Sequence, residues 1–216
     1  MKKITKHLVL SAFFLLGLAP VSAYADTITA DAIGKAADIV GTVTVQRGDK
    51  MEITALEAGD PIFLKDTVLT DEGDFAELEF IDETVIEVSG GGGRLKIDEY
   101  VFNPDAPEEN KARFNVLRSS FKYVSGLVAK NDNVEIGLDF GSIGIRGTTL
   151  YRAMRDGECW IFLEDGEIKV NNNAGFVTLN PGDGTRMRDV SIAPTPAKPW
   201  GQKNIDWIKG EVARPQ

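Results

Sequence analysis

The sequence predicts an all-β domain carrying an extended C-terminal strap. Three observations predict it. Apolar residues recur with a period of two, as in Phe75-Ala76-Glu77-Leu78-Glu79-Phe80, which is the pattern of a strand with one buried face. Such runs are short and are separated by Gly, Asp and Asn, the residues that turns demand. No strand–helix alternation of the doubly wound kind is visible. Many short strands at regular spacing point to a compact β module, sandwich-like or solenoid-like.

The elements follow in order. Residues 1–25 read as a secretory signal peptide. Lys2, Lys3 and Lys6 form its positive start, Leu8 to Leu18 its apolar centre, and Ala23-Tyr24-Ala25 a small-x-small cleavage site. The apolar run is shorter than the ~20 residues a bilayer span takes. Residues 26–36 read as a linker, 37–190 as the β body and 191–216 as a Pro-rich tail with a short helix.

Strands are expected at Ile39–Gln46, Met51–Leu56, Asp66–Thr70, Phe75–Phe80, Thr84–Val88 and Arg94–Ile97. Asn103–Asn110, with two prolines and three acids, reads as a loop. Further strands are expected at Phe114–Tyr123, Val134–Leu138, Thr148–Ala153, Glu158–Leu163, Glu167–Val170, Phe176–Leu179 and Thr185–Arg188. Residues 111–130 fit either a helical stripe (Phe114, Leu117, Phe121, Val124, Val128) or strands. The punctuation at Ser119-Ser120 and Ser125-Gly126 favours strands.

An internal echo runs through the body. Gly41-x-Val43-x-Val45 leads to Leu56-x-x-Gly59-Asp60, and Gly166-x-Ile168-x-Val170 leads to Leu179-x-x-Gly182-Asp183. Each reads as a strand entered through Gly, a hairpin, and a Gly-Asp turn in which Gly supplies positive φ and Asp caps. Two similar modules packed on each other are expected.

Charge narrows the function. The chain holds 24 Lys+Arg, 33 Asp+Glu and one His. Cleavage after Ala25 removes three lysines and His7 but no acid, moving the formal charge from −9 to −12. The processed chain then has no imidazole and a single cysteine, Cys159. That excludes Ser-His-Asp and Cys-His catalysis, a Cys/His zinc site and an intrachain disulfide. Its acidity opposes nucleic-acid binding. The expected product is periplasmic or secreted, without a membrane span, metal, cofactor or enzymatic activity. Cys159 reads as a small core residue, since an acidic neighbour and burial both raise a thiol pKa.

The most distinctive string is Gly144-Ile145-Arg146-Gly147-Thr148. Its glycines permit positive φ or close backbone approach. They place Arg146 in a concavity or partly inside, where a guanidinium must be paired. Arg146 there either locks two strands through backbone carbonyls or grips an anionic ligand or a partner's carboxylate.

That string resembles the signature of the FecR domain, a periplasmic β module. Other blocks are similar in the same order: Val40–Val45, Leu56–Asp60 with Gly59 and Asp60, Val68–Thr70, Ala76–Glu87, Leu95–Tyr100, Phe121–Lys130 and Leu163–Val170. The resemblance spans about residues 37 to 190. Two departures stand out. Asp82-Glu83-Thr84 replaces the family's Asp-Gly-Thr/Ser, and Glu resists the positive φ of an easy type I′ turn. Gly90–Gly93 replaces a stiffer stretch, so a loose connection is expected there. The family's transmembrane members relay signals through a cytoplasmic anti-sigma segment; this sequence shows neither that segment nor a span.

The resemblance implies a non-enzymatic exported module that binds or scaffolds another envelope macromolecule, with signalling as one setting. Arg146, Trp200 and Trp207 are its candidate binding residues. The tail, with Pro194, Pro196 and Pro199, reads as a polyproline-like strap. Trp200 and Trp207 either dock it on the body or offer it to a partner. An alternative is a polysaccharide binder that stacks Trp160, Trp200, Trp207 or Tyr100 on sugar rings. A carboxylate-dependent hydrolase is the least favoured reading, because so many acids guarantee chance pairs. The acids between Asp71 and Glu87 fit no EF-hand spacing and read as a solvated strand face.

Overall fold

In the computed structural model of the chain, the described residues are 31–216 except Asp49, Met51 and Asp132. The signal peptide and most of the linker, residues 26–30, lie outside them. Strands dominate. They are β1 (Gly34–Val40), β2 (Thr44–Gln46), β3 (Ile53–Ala55), β4 (Pro61–Ile62), β5 (Thr67–Thr70), β6 (Phe75–Phe80), β7 (Val85–Ser89) and β8 (Gly93–Val101). After the 103–110 loop come β9 (Lys111–Leu117), β10 (Ser120–Val124), β11 (Val134–Leu138), β12 (Gly141–Arg155), β13 (Glu158–Asn172), β14 (Gly175–Leu179), β15 (Asp183–Met187) and β16 (Lys198–Pro199). The helix α1 spans Gln202–Gly210.

The hydrogen-bonded order is β3-β2-β5-β8-β9-β11-β12-β10-β7-β6-β1-β4. It folds into two stacks because β12 bends. Residues 141–145 of β12 pair with β11 in the first stack, and residues 149–152 pair with β10 in the second. β13 follows β12 across the bend, extending the first stack through β14 and the second through β15 and β16. All pairings are antiparallel except β9 with β11. The stacks face each other across the core. Phe80 of the second lies with its ring centroid 5.4 Å from Tyr100 and 5.3 Å from Phe114 of the first.

Several expected strands are redrawn by backbone geometry. Ile39–Gln46 is two strands, because Gly41 at φ 84° turns the chain from the second stack into the first. β1 begins at Gly34, inside the stretch read as linker. Phe114–Tyr123 divides at Arg118 (φ 64°) and Ser119, and a 3₁₀ turn at Leu127–Asn131 follows β10. Conversely, Glu158–Leu163 and Glu167–Val170 are one 15-residue strand. Alternation is interrupted at Gly166, but the ladder is not.

The echoed units are crossings between the two stacks, at opposite sides of the sandwich, and do not pack on one another as modules. Their turns match closely. Gly59 and Gly182 have φ of 94° and 89°. The Asp60 carboxylate accepts from the Glu57 amide at 2.9 Å and that of Asp183 from the Asn180 amide at 3.1 Å.

Both departures from the family pattern also resolve. Glu83 does adopt positive φ, 71°, at a cost of about 1 kcal/mol. The neighbouring Asp82 holds the turn from inside the core. It accepts from the Tyr100 hydroxyl at 2.6 Å, the Thr84 hydroxyl at 2.7 Å and the Val128 amide at 2.9 Å. A glycine is therefore not needed there. Gly90, Gly91 and Gly92 all have φ near 70°, but the end of that connection is tight: a Cβ on Gly93 would stand 1.8 Å from Ser119 Oγ.

Candidate functional site

The string Gly144–Thr148 forms the bend of β12. The β12–β13 register shifts between Arg146 and Thr149, so this is a bulged corner, which re-aims side chains. Gly147 takes φ 55° and Gly166 opposite takes φ 87°. A Cβ on Gly166 would stand 2.0 Å from the Gly147 carbonyl oxygen. Two backbones thus meet where no side chain fits. The corner is pinned by Ser125, whose hydroxyl accepts from the Thr148 amide at 2.8 Å and whose amide donates to the Thr148 carbonyl at 2.9 Å. Ile143 and Ile145 point into the core.

Of the two settings expected for Arg146, the geometry shows the concavity and not the interior: the corner turns it outward, and it is exposed. It pairs in register with Glu167, at the rim of a shallow groove of about 300 Å³. Gly144 floors that groove; a Cβ there would meet nothing closer than 3.9 Å. Lys169 and Thr178 form the far wall. Lys169 Nζ also lies 4.2 Å from the centroid of the Phe176 ring, which is 65 % exposed.

The buried arginine is Arg152, which sequence reasoning passed over. It is fully enclosed. Its guanidinium donates to the Asp139 carboxylate at 2.6 Å, to the Ser119 carbonyl, to Cys159 Sγ at 3.3 Å and to Met154 Sδ at 3.2 Å. A signal was present: in Leu150-Tyr151-Arg152 the period-two alternation puts Arg152 beside Leu150 on the inward face. Burial pushes the Cys159 thiol up from its ordinary range, with Arg152 pulling the other way. The reading of Cys159 as a core residue holds.

Trp200 and Trp207 lie on the opposite side of the molecule from Arg146, on the outer face of the second stack. Trp200 packs flat against Gly184, where a Cβ would stand 2.0 Å from its indole. It stacks on Phe162 at 5.8 Å and meets Trp160 edge-on at 5.3 Å. Trp207 meets Trp160 at 5.5 Å, with Arg155 4.9 Å above its ring. Ile208 and Val212 are buried beside Tyr151, Ala153 and Phe162. The tail then crosses the whole stack. Lys209 bonds Glu164, the Ser89 hydroxyl donates to the Glu211 carbonyl at 2.7 Å, and Arg214 bonds Asp38 of β1. The strap is docked, and the short helix in it is nine residues long.

That docking removes most of the rings considered for sugar stacking. Tyr100 lies inside the core at 7 % exposure, and Trp200, with which the strap packs on Gly184, is 8 % exposed. Trp160 and Trp207 are half-buried against each other.

The expected acidic strand face is also partly covered. Asp38, Glu77 and Glu87 stand opposite one another on β1, β6 and β7. Lys122 of β10 bonds Glu87 at 2.5 Å. Partial burial, then the charges of Glu87 and Asp38, hold the Glu77 carboxyl above its ordinary range. Asp38 is held below its range by Arg214. Burial raises Glu164, but hydrogen bonds from Lys209 and Tyr151 leave it lowered overall.

No protein-family model matches the sequence, and no curated protein matches it. Solved structures do share the fold. The chain is similar to two crystal structures, at 2.50 and 1.65 Å, each described as a putative anti-sigma factor from Parabacteroides distasonis ATCC 8503. The TM-scores are 0.51 and 0.50 at 11 % identity, over 67 % of this chain. The matched parts span 64 % and 65 % of those chains, somewhat less than two thirds of their length. At that identity the likeness is one of fold. Among the described residues, no helix is long and apolar enough to cross a membrane.

Proposed function

We propose that this protein is an exported FecR-type β module, with a regulatory role, that works by binding another macromolecule of the cell envelope and not by catalysis. The observation that carries the reading is the corner at Gly144–Thr148. Its glycines build the bend, and the bend displays Arg146 instead of burying it. A guanidinium held at a groove rim on a stiff sheet is suited to a carboxylate or phosphate on a partner surface. The fold shared with the two structures described as putative anti-sigma factors and the ordered FecR-like blocks support the same reading. Docking of the strap buries Trp200 and leaves Trp160 and Trp207 half-buried, which favours the Arg146 side for binding.

The reading is tested by placing a photo-crosslinking residue at Glu167, beside Arg146 at the groove rim and off the β14 edge, in the exported protein. The expected result is one envelope macromolecule captured at Glu167 and lost when Arg146→Glu is added. Turnover of a glycan or peptide substrate, abolished by changing a single acidic side chain, would contradict it.

A further inference from the structure

Four strands end the two stacks, and they are not alike. β4 and β16 have two residues each and contain Pro61 and Pro199. β3 has three residues and is flanked by Glu52 and Glu57. Short length, proline and charge are the devices that keep a sheet edge from pairing with another chain. β14 carries none of them within its five residues, and Pro181 beyond its end is the one guard nearby. The strand pairs with β13 alone. From Asn171 to Pro181 the sequence holds no charged residue. Phe176 stands on its outer face, and Val190 and Ile192 of the adjoining loop are 44 % and 54 % exposed. Asn172 ties that loop to the strand end through the Asp189 and Ile192 carbonyls at 3.0 and 2.7 Å.

From this we infer that β14 is the self-association edge of the protein, pairing antiparallel with β14 of a second copy about a two-fold axis at Val177. The absence of charge selects the occupant: a partner drawn by opposite charge finds no handle between Asn171 and Pro181, whereas a second copy meets no like charge there. The chain carries a formal charge of −9, so two copies repel over most of their surfaces. At this strip each brings the same uncharged, unguarded edge. A closed two-fold contact uses one patch on both copies, and this edge is self-complementary in the required sense. In that register Phe176 lies opposite the second copy's Thr178 on the outer face, and the first stack continues through the axis into a double-width sheet.

The test is sedimentation equilibrium of the full chain as secreted by its expression host, with two double variants. The wild type should show a concentration-dependent dimer. F176K/T178K places like charges opposite each other, which disfavours pairing, and should weaken the dimer at least roughly tenfold, about 1.4 kcal/mol. F176K/T178E places an introduced lysine opposite an introduced glutamate and should restore it. Position 178 stands opposite Lys169 within the sheet, so F176K/T178K should melt slightly below F176K/T178E, and a single cooperative transition in each shows that folding is intact. The proposal is overturned by a wild type that stays monomeric at every concentration. It is equally overturned by a dimer indifferent to F176K/T178K, or by F176K/T178E associating no better than F176K/T178K.

Discussion

The two sides of the sandwich are closed by the same device built from different materials. On one side the chain crosses between stacks at Gly41, on the other at Gly166, with φ of 84° and 87°. At Gly41 the space a Cβ would need is taken by a side chain, Asp74 Oδ1 at 2.0 Å. That carboxylate caps the bend, accepting from the Thr42 and Asp71 amides at 2.8 and 2.9 Å. At Gly166 the space is taken by backbone, the carbonyl of Gly147. The first crossing breaks the strand into β1 and β2; the second leaves β13 continuous. A side-chain cap tolerates adjustment, whereas two apposed backbones do not. The family-like signature sits at the crossing with no slack.

This contrast orders the expected effects of substitution. Gly166→Ala should be the most damaging, at about 4 kcal/mol in chemical denaturation, since strained φ adds to a backbone clash. Gly41→Ala should cost less, about 2 to 3 kcal/mol, because Asp74 can rotate away while losing its cap to Thr42. Equal losses would remove the distinction.

The strap sharpens the comparison. It covers the aromatic outer face of β12 and β13 in the second stack and reaches β1, which leads into the first crossing, through Arg214. Trp200→Ala should therefore cost about 3 kcal/mol with loss of near-ultraviolet circular dichroism from the tryptophan cluster. Arg214→Ala should leave the denaturation midpoint unmoved, since exposed ion pairs contribute little.

Two smaller effects follow. Glu83→Gly should stabilise by up to about 1 kcal/mol by relieving positive φ, less the entropy glycine adds to the unfolded chain. Glu77 should make the acidic face pH-sensitive. Its carboxyl pKa is raised on folding, so its ionisation opposes the folded state. Stability should fall as pH rises from the ordinary glutamate value of 4.5 through the raised one. Glu77→Gln should raise the melting temperature at pH 7 and leave it unchanged well below pH 4.5. The strap pairs of Asp38 and Glu164 act with the opposite sign, weakening as pH falls through their lowered values.

Much of this architecture was legible in the residues. Alternation located β6 and β11 to the residue, because both are half-buried strands with clean periodicity. The Gly-Asp echo located both turns, because positive φ and a capping carboxylate are local requirements. Continuity was not legible. Whether a strand survives a glycine, as β13 does and β1 does not, depends on what stands opposite, and Asp74 and Gly147 are distant in sequence. Arg146 and Arg152 show the same limit in the candidate site. Flanking glycines drew attention to the arginine that the corner turns outward. Quiet alternation marked the one that is enclosed, and its partners Asp139 and Ser119 are set by long-range packing. The docking of the strap was foreseeable from its tryptophans, but the length of the helix that carries Trp207 was not.

The central claim is that the Gly144–Thr148 corner is structural in its glycines and functional in its arginine. The most direct measurement pairs thermal denaturation with envelope capture for Arg146→Glu. The account predicts a stability change within about 0.5 kcal/mol, as at other exposed positions, together with loss of the captured partner. A protein that melts several degrees lower while still retaining its partner would contradict it.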